Sequence, residues 1–308
     1  MEQNNRRWIF IVVFLMVLFL FVSLIAGIFA LFSGADEPLT GNVALIHIEG
    51  VILSDGSTSV FGEQIASASS ITEKIRTANE APNVKAILFE INSPGGSVVA
   101  SEEITHAIQA SNKSTVSYIR EVGASGAYWA ASATDHIFAS RMSVTGSVGV
   151  IASYLEYSEL LERYNVTYER IASGKYKDMG SPFKKLNTEE RGIFEKQLDL
   201  IHDYFLQDVA KSRGLTAEQI EHIATAQVYL GVEAKAVGLI DDFGGREEAI
   251  AYIENQLNMT ASVDELTDKK GFFEMLSEAM NERAFFVGQG MGSYLFGRSP
   301  VQSIRIVS

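Results

Sequence analysis

Val84-Lys85-Ala86-Ile87-Leu88-Phe89-Glu90-Ile91-Asn92-Ser93-Pro94-Gly95-Gly96-Ser97 is the stretch from which the fold can be read. Val84 to Ile91 is largely apolar, the pattern of a parallel strand buried on both faces. A glycine loop follows at once, and Glu102 to Ala110 reads as helix. Strand, glycine loop and helix in succession make one α/β unit. The pattern repeats outward. Upstream lie a strand at Val43 to Ile48, a loop at Gly56 to Ser70 and a helix at Ile71 to Asn79. Downstream, Thr115 to Ile119 reads as strand, Ser125 to Ala133 as helix and His136 to Ala139 as strand.

Beyond that, Val148 to Ile151 and Thr167 to Ile171 read as short strands around a helix at Leu155 to Tyr164. Thr188 opens a long helix in which Phe194, Leu198, Ile201, Phe205 and Val209 recur at helical spacing, ended by Arg213-Gly214. Thr216 caps a short helix, and Val232 to Val237 and Arg246 to Leu257 are the last clear ones. From Asn258 the pattern weakens, so residues 258–308 read as a tail behind a domain at 42–257.

Trp8 to Phe32 carries no charged residue. About 20 residues span a bilayer core, so this run is long enough for a transmembrane helix. It exceeds the 7–15 apolar residues usual in a cleaved signal peptide. Arg6 and Arg7 precede it, so residues 1–7 are expected in the cytoplasm and the rest of the chain across the membrane. Residues 8–32 are then a single anchor in the lipid bilayer and 33–41 a linker.

The chain has 308 residues, 47% hydrophobic and 20% charged, enough for a sizeable core. Its net charge is −13; residues 1–34 contribute Glu2, Arg6 and Arg7, a net of +1, so the remainder carries −14. Such an acidic surface argues against nucleic acid as a partner. There is no cysteine, which excludes disulfides, thiolate metal sites and a cysteine nucleophile. No metal motif stands out among the acidic residues, and no cofactor is required by the chemistry below.

Ser125, in Gly123-Ala124-Ser125-Gly126-Ala127-Tyr128, sits where a strand turns into a helix. That geometry exposes a nucleophile and aims the next amide at a carbonyl, although serine at such a place is also an ordinary helix N-cap. The Gly95-Gly96 pair lets backbone approach a ligand and offers N–H groups to an oxyanion, although Pro-Gly-Gly is also a common turn. A serine needs a base. His47, His106, His136, His202 and His222 all sit where a structural or solvated role is the simpler reading. The Gly/Ser/Pro-rich stretch Ser173-Gly174-Lys175-Tyr176-Lys177-Asp178-Met179-Gly180-Ser181-Pro182 can instead position an amine, but the residues alone do not choose among Lys175, Lys177, Lys184 and Lys185.

Four segments in consistent order resemble the signal peptide peptidase A family in its short, single-motif form. They are Asn92-Ser93-Pro94-Gly95-Gly96-Ser97, Gly123-Ala124-Ser125-Gly126-Ala127-Tyr128, Thr145-Gly146-Ser147-Val148-Gly149-Val150 and Ser173-Gly174-Lys175-Tyr176-Lys177-Asp178. Gly231 to Gly238 and Leu239-Ile240-Asp241 extend the likeness, which covers about residues 42–255. The resemblance implies a ClpP/crotonase-like fold of repeated β-β-α units and a serine peptidase with a Ser125–Lys177 dyad. Ser147 would support the lysine, and the amides of Gly96 and Gly126 would hold the oxyanion. It also implies remnant signal peptides as substrates and a ring-like homo-oligomer. Wider Clp-type proteases carry a histidine about twenty-five residues after the serine; here that position is Val150. The dyad is expected within one chain, with an arrangement across neighbouring subunits as the alternative, and with Lys177 neutral and Asp178 turned away from it. Two rivals stand beside this reading: a non-catalytic membrane-anchored scaffold on the same fold, and a membrane protease dedicated to one protein partner. An acyl-CoA enzyme is disfavoured by the extracytoplasmic location.

Overall fold

The strands that the sequence marks as buried line up side by side in one sheet. The computed structural model describes residues 14–23, 39–55 and 65–267. The strands are β1 (Val43–Glu49), β2 (Val51–Leu53), β3 (Ile65–Ser67), β4 (Ala86–Ser93), β5 (Ser114–Ala124), β6 (His136–Ala139), β7 (Val144–Gly146), β8 (Val228–Leu230), β9 (Asp242–Phe243) and β10 (Val263–Glu265). The helices are α1 (Ala68–Glu80), α2 (Val98–Gln109), α3 (Gly126–Ser132), α4 (Ser158–Arg163), α5 (Thr188–Arg213), α6 (Ala217–Ile223), α7 (Gly231–Ala236) and α8 (Arg246–Leu257). The main sheet runs β10-β1-β4-β5-β6-β9 with every pairing parallel; β7 joins the far end of β5 and carries β8 antiparallel. β2 and β3 form a separate parallel pair. This is the α/β architecture that the alternation of patterns implies.

Alternation along the strands divides the core in two. Ala44, Ile46 and Ile48 of β1 and Ile87, Phe89 and Ile91 of β4 face one side, packed with Ile71 and Ile75 of α1, Ile104 of α2, Trp129 of α3 and Phe205 of α5. Val43, Leu45, Ala86 and Leu88 face the other, packed with Ala249 and Ile253 of α8. A strand wedged between two helical layers has no solvated face, so Val84 to Ile91 reads as a largely apolar run. The long helix forms because Asn187 and Glu190 close a capping box at its start and Gly214, at φ 60°, ends it in the left-handed conformation.

Four expectations differ from the structure, the first being that β3 and the start of α1 fall inside the stretch expected to be loop, Gly56 to Ser70. Val148 to Ile151 and Thr167 to Ile171 are not strands; β7, just upstream, takes the pairing on β5. Val148 is buried, but Ile151 and Ile171 lie in the open at 90% and 99% exposure, and a strand without a neighbour has no ladder to hold it. β10, within the stretch expected to be tail, adds to the edge of the sheet beside β1, and Asp264 accepts from the Thr40 and Gly41 amides. Three residues, two of them acidic, are too few to show as a strand in a pattern. Residues 39–267 make one compact unit. The helical segment at 14–23, its side chains exposed, belongs to a different unit. Among the described residues no helix is long and apolar enough to cross a membrane. The rest of the expected anchor at 8–32 lies outside the described residues, as do 1–7 and 268–308.

Candidate active site

β4 and β5 lie side by side, and each ends in a turn that its sequence makes unusual. After β4 the chain passes Pro94 to Gly95, at φ +92°. A Cβ on Gly95 would sit 2.7 Å from the Gly126 amide nitrogen and 2.9 Å from the Ala124 carbonyl oxygen, so only glycine fits. At Gly96 a Cβ would sit 2.0 Å from the Ile52 carbonyl oxygen. Ile52 N–H donates to the Gly95 carbonyl at 2.9 Å, and Ser97 N–H donates to the Ile52 carbonyl at 2.8 Å. This parallel bridge clamps β2 onto the loop and turns the Gly96 N–H to the opposite side.

β5 pairs with β6 over its first half and with β7 at its end, where Val122, Gly123 and Ala124 oppose Val144, Thr145 and Gly146. The next residue, Ser125, has φ 55° and ψ −128°, a backbone strained for any residue with a side chain. Its N–H donates to the Gly146 carbonyl at 2.8 Å and its carbonyl accepts from Trp129 N–H at 3.0 Å. The Ser125 side chain makes no capping hydrogen bond to α3. An N-cap serine uses its hydroxyl on the first turn; this one does not, so the functional reading of Ser125 gains over the capping one. A Cβ on Gly126 would fall 2.1 Å from Ser101 Oγ and 3.6 Å from Gly96 N, which brings the two glycine amides to one place. Neither N–H has an acceptor among the described residues.

These groups border a cavity of about 360 Å³. Gly96, Ser125, Gly126 and Ser147 all line it, so the structure gathers four of the five residues singled out in the sequence. Ser147, at φ 52°, is held by donation from its N–H to the Gln227 carbonyl at 2.9 Å. Val98, Trp129, Val150, Phe205 and Ala226 make the remaining wall apolar. Ser101 also lines the cavity; sequence reasoning passed over it, since a serine in the first turns of α2 carries no distinguishing signal. Two free N–H groups beside a half-buried serine hydroxyl are what a tetrahedral oxyanion and its nucleophile need.

No histidine lines this cavity among the described residues. His202 donates to the Val148 carbonyl at 3.0 Å, and His47 lies among Glu49, Glu90 and Glu265. His136 stacks on Tyr252. Val150, at the position where Clp-type proteases carry their histidine, is part of the apolar wall.

The lysines left open by the sequence are separated by the structure. Lys175 pairs with Glu189 at 2.5 Å, Lys184 with Glu190 at 2.6 Å and Asp178 at 3.1 Å, and Lys185 with Glu159. Hydrogen bonds to those carboxylates raise all three ammonium groups above the ordinary lysine value, which unfits them as bases. The Lys177 amine alone of the four has no partner among the described residues. Asp178 pairs with Arg170 and Lys184 and not with the neighbouring Lys177 amine. Within the chain, however, Lys177 is exposed and does not border the cavity that holds Ser125.

The model of peptidase family S49 matches residues 107–260, which contain the serine turn, Ser147 and the lysine loop. The chain belongs to peptidase family S49. A putative protease of Methanocaldococcus jannaschii is 30% identical over 94% of this chain and 96% of its own length. A putative signal peptide peptidase of Enterococcus faecium is 30% identical over 88% of this chain and 87% of its own. A chloroplastic serine protease of Arabidopsis thaliana is 33% identical over 72% of this chain and 34% of its own. The chain is thus a serine peptidase of this family, which removes the non-catalytic scaffold reading.

Proposed function

We propose that this S49 peptidase is a membrane-anchored endopeptidase on a ClpP/crotonase-like fold. In this reading Ser125 is the nucleophile and Lys177 the base, and the substrates are remnant signal peptides and similar small membrane-associated peptides. One observation carries the reading: a strained, uncapped Ser125 faces the same cavity as two acceptor-free amides and an apolar wall, with no imidazole there. The apolar wall suits extended peptides with small or apolar side chains. The charge-free run at 8–32 behind Arg6 and Arg7 supports an anchor with the catalytic unit on the extracytoplasmic side.

A lysine has an ordinary pKa of about 10.4 and serves as a base near neutrality only when water is excluded from it. Neutral Lys177 takes the Ser125 proton as the hydroxyl attacks the peptide carbonyl, and Ser147 orients the amine. The Gly96 and Gly126 N–H groups donate to the oxyanion. The lysinium then protonates the leaving amine, and water releases the acyl group.

An exposed Lys177 does not meet that requirement in one chain, and the reading therefore includes a homo-oligomer in which the 149–187 segment of one copy reaches the cavity of the next. Support comes from the apolar groups this segment leaves in water, among them Ile151, Leu155, Tyr164 and Ile171. Ser125→Ala and Lys177→Ala are each expected to abolish hydrolysis of an unstructured peptide, and co-expression of the two inactive chains to restore part of it. Full activity in Lys177→Ala would reject the dyad, and no recovery on co-expression would reject the shared site.

A further inference from the structure

The loop bearing Lys177 is held by a set of charges that the dyad itself does not use. Arg170 Nε donates to Asp178 Oδ2 at 2.5 Å, and its Nη2 donates to the Gly174 and Lys175 carbonyls at 3.1 and 3.2 Å. One guanidinium thus grips the turn before Lys177 and the side chain after it. Lys184 ties Asp178 to Glu190, which is 2% exposed. Glu190 is also the reciprocal partner of Asn187 in the capping box that begins α5. On the other flank, Glu189 accepts from Lys175 and Tyr176. Successive turns close the backbone, with Lys177 N–H donating to Gly174, Met179 N–H to Tyr176 and Ser181 N–H to Asp178. α5 is seated in the core through Phe205 and Val209, and Phe205 lines the Ser125 cavity.

We propose that Arg170 and Asp178 are positioning residues for Lys177: they rivet its loop to the start of α5 and hold the one adjacent carboxylate away from its amine. The inference rests on the reading of Lys177 as the base. Thermal stability is a poor explanation for the arrangement. Partly exposed ion pairs add little to it, and the guanidinium fork is spent on two carbonyls of the lysine turn. The fork matters because lysine cannot reproduce its planar, multidentate geometry.

The test uses the full chain and an unstructured fluorogenic peptide, with kcat, KM and the thermal midpoint measured for each variant. Arg170→Ala and the isosteric Asp178→Asn are expected to lower kcat by about tenfold to a hundredfold, the effect of displacing a catalytic group by roughly 1 Å. KM and the thermal midpoint are expected to stay near the parent values. Arg170→Lys, which can reach Asp178 but cannot fork to both carbonyls, is expected to recover part of kcat. If Lys177→Ala is inactive while Arg170→Ala and Asp178→Asn keep the parent kcat, the positioning role is wrong and the base reading survives. If Lys177→Ala retains kcat, both are wrong. A fall in kcat that tracks a fall in thermal midpoint, unrelieved in Arg170→Lys, makes the network merely structural and overturns the proposal.

Discussion

Replacing Gly96 by alanine tests the oxyanion geometry most directly. The added Cβ would lie 2.0 Å from the Ile52 carbonyl oxygen and 2.7 Å from both the Ile52 carbonyl carbon and its nitrogen. All three are backbone atoms, so no rotamer change relieves the contact. Reaching an ordinary separation of 3.4 Å needs a shift of about 1.4 Å. If β2 gives way, the Ile52–Gly95 and Ser97–Ile52 hydrogen bonds are broken, a loss of about 1–3 kcal/mol together. If the loop gives way, the Gly96 amide leaves the oxyanion position. Removal of one such donor lowers kcat by about 100- to 1000-fold. The first route lowers the thermal midpoint; the second lowers kcat far more than it raises KM, because the oxyanion forms only in the transition state. Steady-state hydrolysis of a fluorogenic peptide, with thermal unfolding in parallel, reads both quantities. A Gly96→Ala chain with the parent's kcat and thermal midpoint would refute the placement of the amide and the role given to it.

Gly192→Ala is the matched control: nothing lies within 4 Å of its Cβ position, so it should stabilise α5 by about 0.5–1 kcal/mol and leave kcat unchanged, as denaturant titration and hydrolysis assays would show. Ser125→Gly and Ser125→Ala should both be inactive, but the glycine variant should be more stable than the alanine variant by about 1 kcal/mol, since only glycine tolerates φ 55° without strain; equal unfolding midpoints would argue against strain. Lys177→Arg should be as inactive as Lys177→Ala, because a guanidinium keeps its proton at any working pH; substantial hydrolysis by it would exclude proton transfer to that position. Hydrogen bonds from Arg170 hold the Asp178 carboxyl below its usual range, and those from Lys184 do the same for Glu190. Their contribution to the lysine loop is therefore complete above the ordinary carboxylate range and lost as pH falls through the lowered values. Hydrogen exchange should show residues 170–190 loosening at acid pH ahead of the main sheet, and uniform protection would contradict it.

The order of strands and helices was legible because burial writes itself into periodicity. β4 reads as a largely apolar run, and α5 shows a helical stripe from Phe194 to Val209, of which Phe205 and Val209 reach the core. Gly95-Gly96 and Ser125 were legible as turns, but each carried an innocent reading of equal local merit. Tertiary contacts separated the two. β2, distant in pattern from the loop, clamps Gly96, and β7 takes the Ser125 amide through Gly146. Val148 to Ile151 and Thr167 to Ile171 misled because β-branched content reports what a segment prefers, not whether a partner strand stands beside it.

The sequence by itself determined an α/β fold with a serine at the end of one strand, a glycine loop at the end of another and no histidine suited to serve them. Those are matters of residue type and spacing, set by which side chains seek burial and which backbones tolerate a tight turn. Only the tertiary structure brought Gly96, Gly126, Ser125 and Ser147 around one cavity, and only it showed that Lys175, Lys184 and Lys185 are bound to carboxylates while Lys177 is not. The physical reason is that a charge's partners lie many residues away along the chain, as Lys185 and Glu159 do, and proximity in space is not encoded by local pattern.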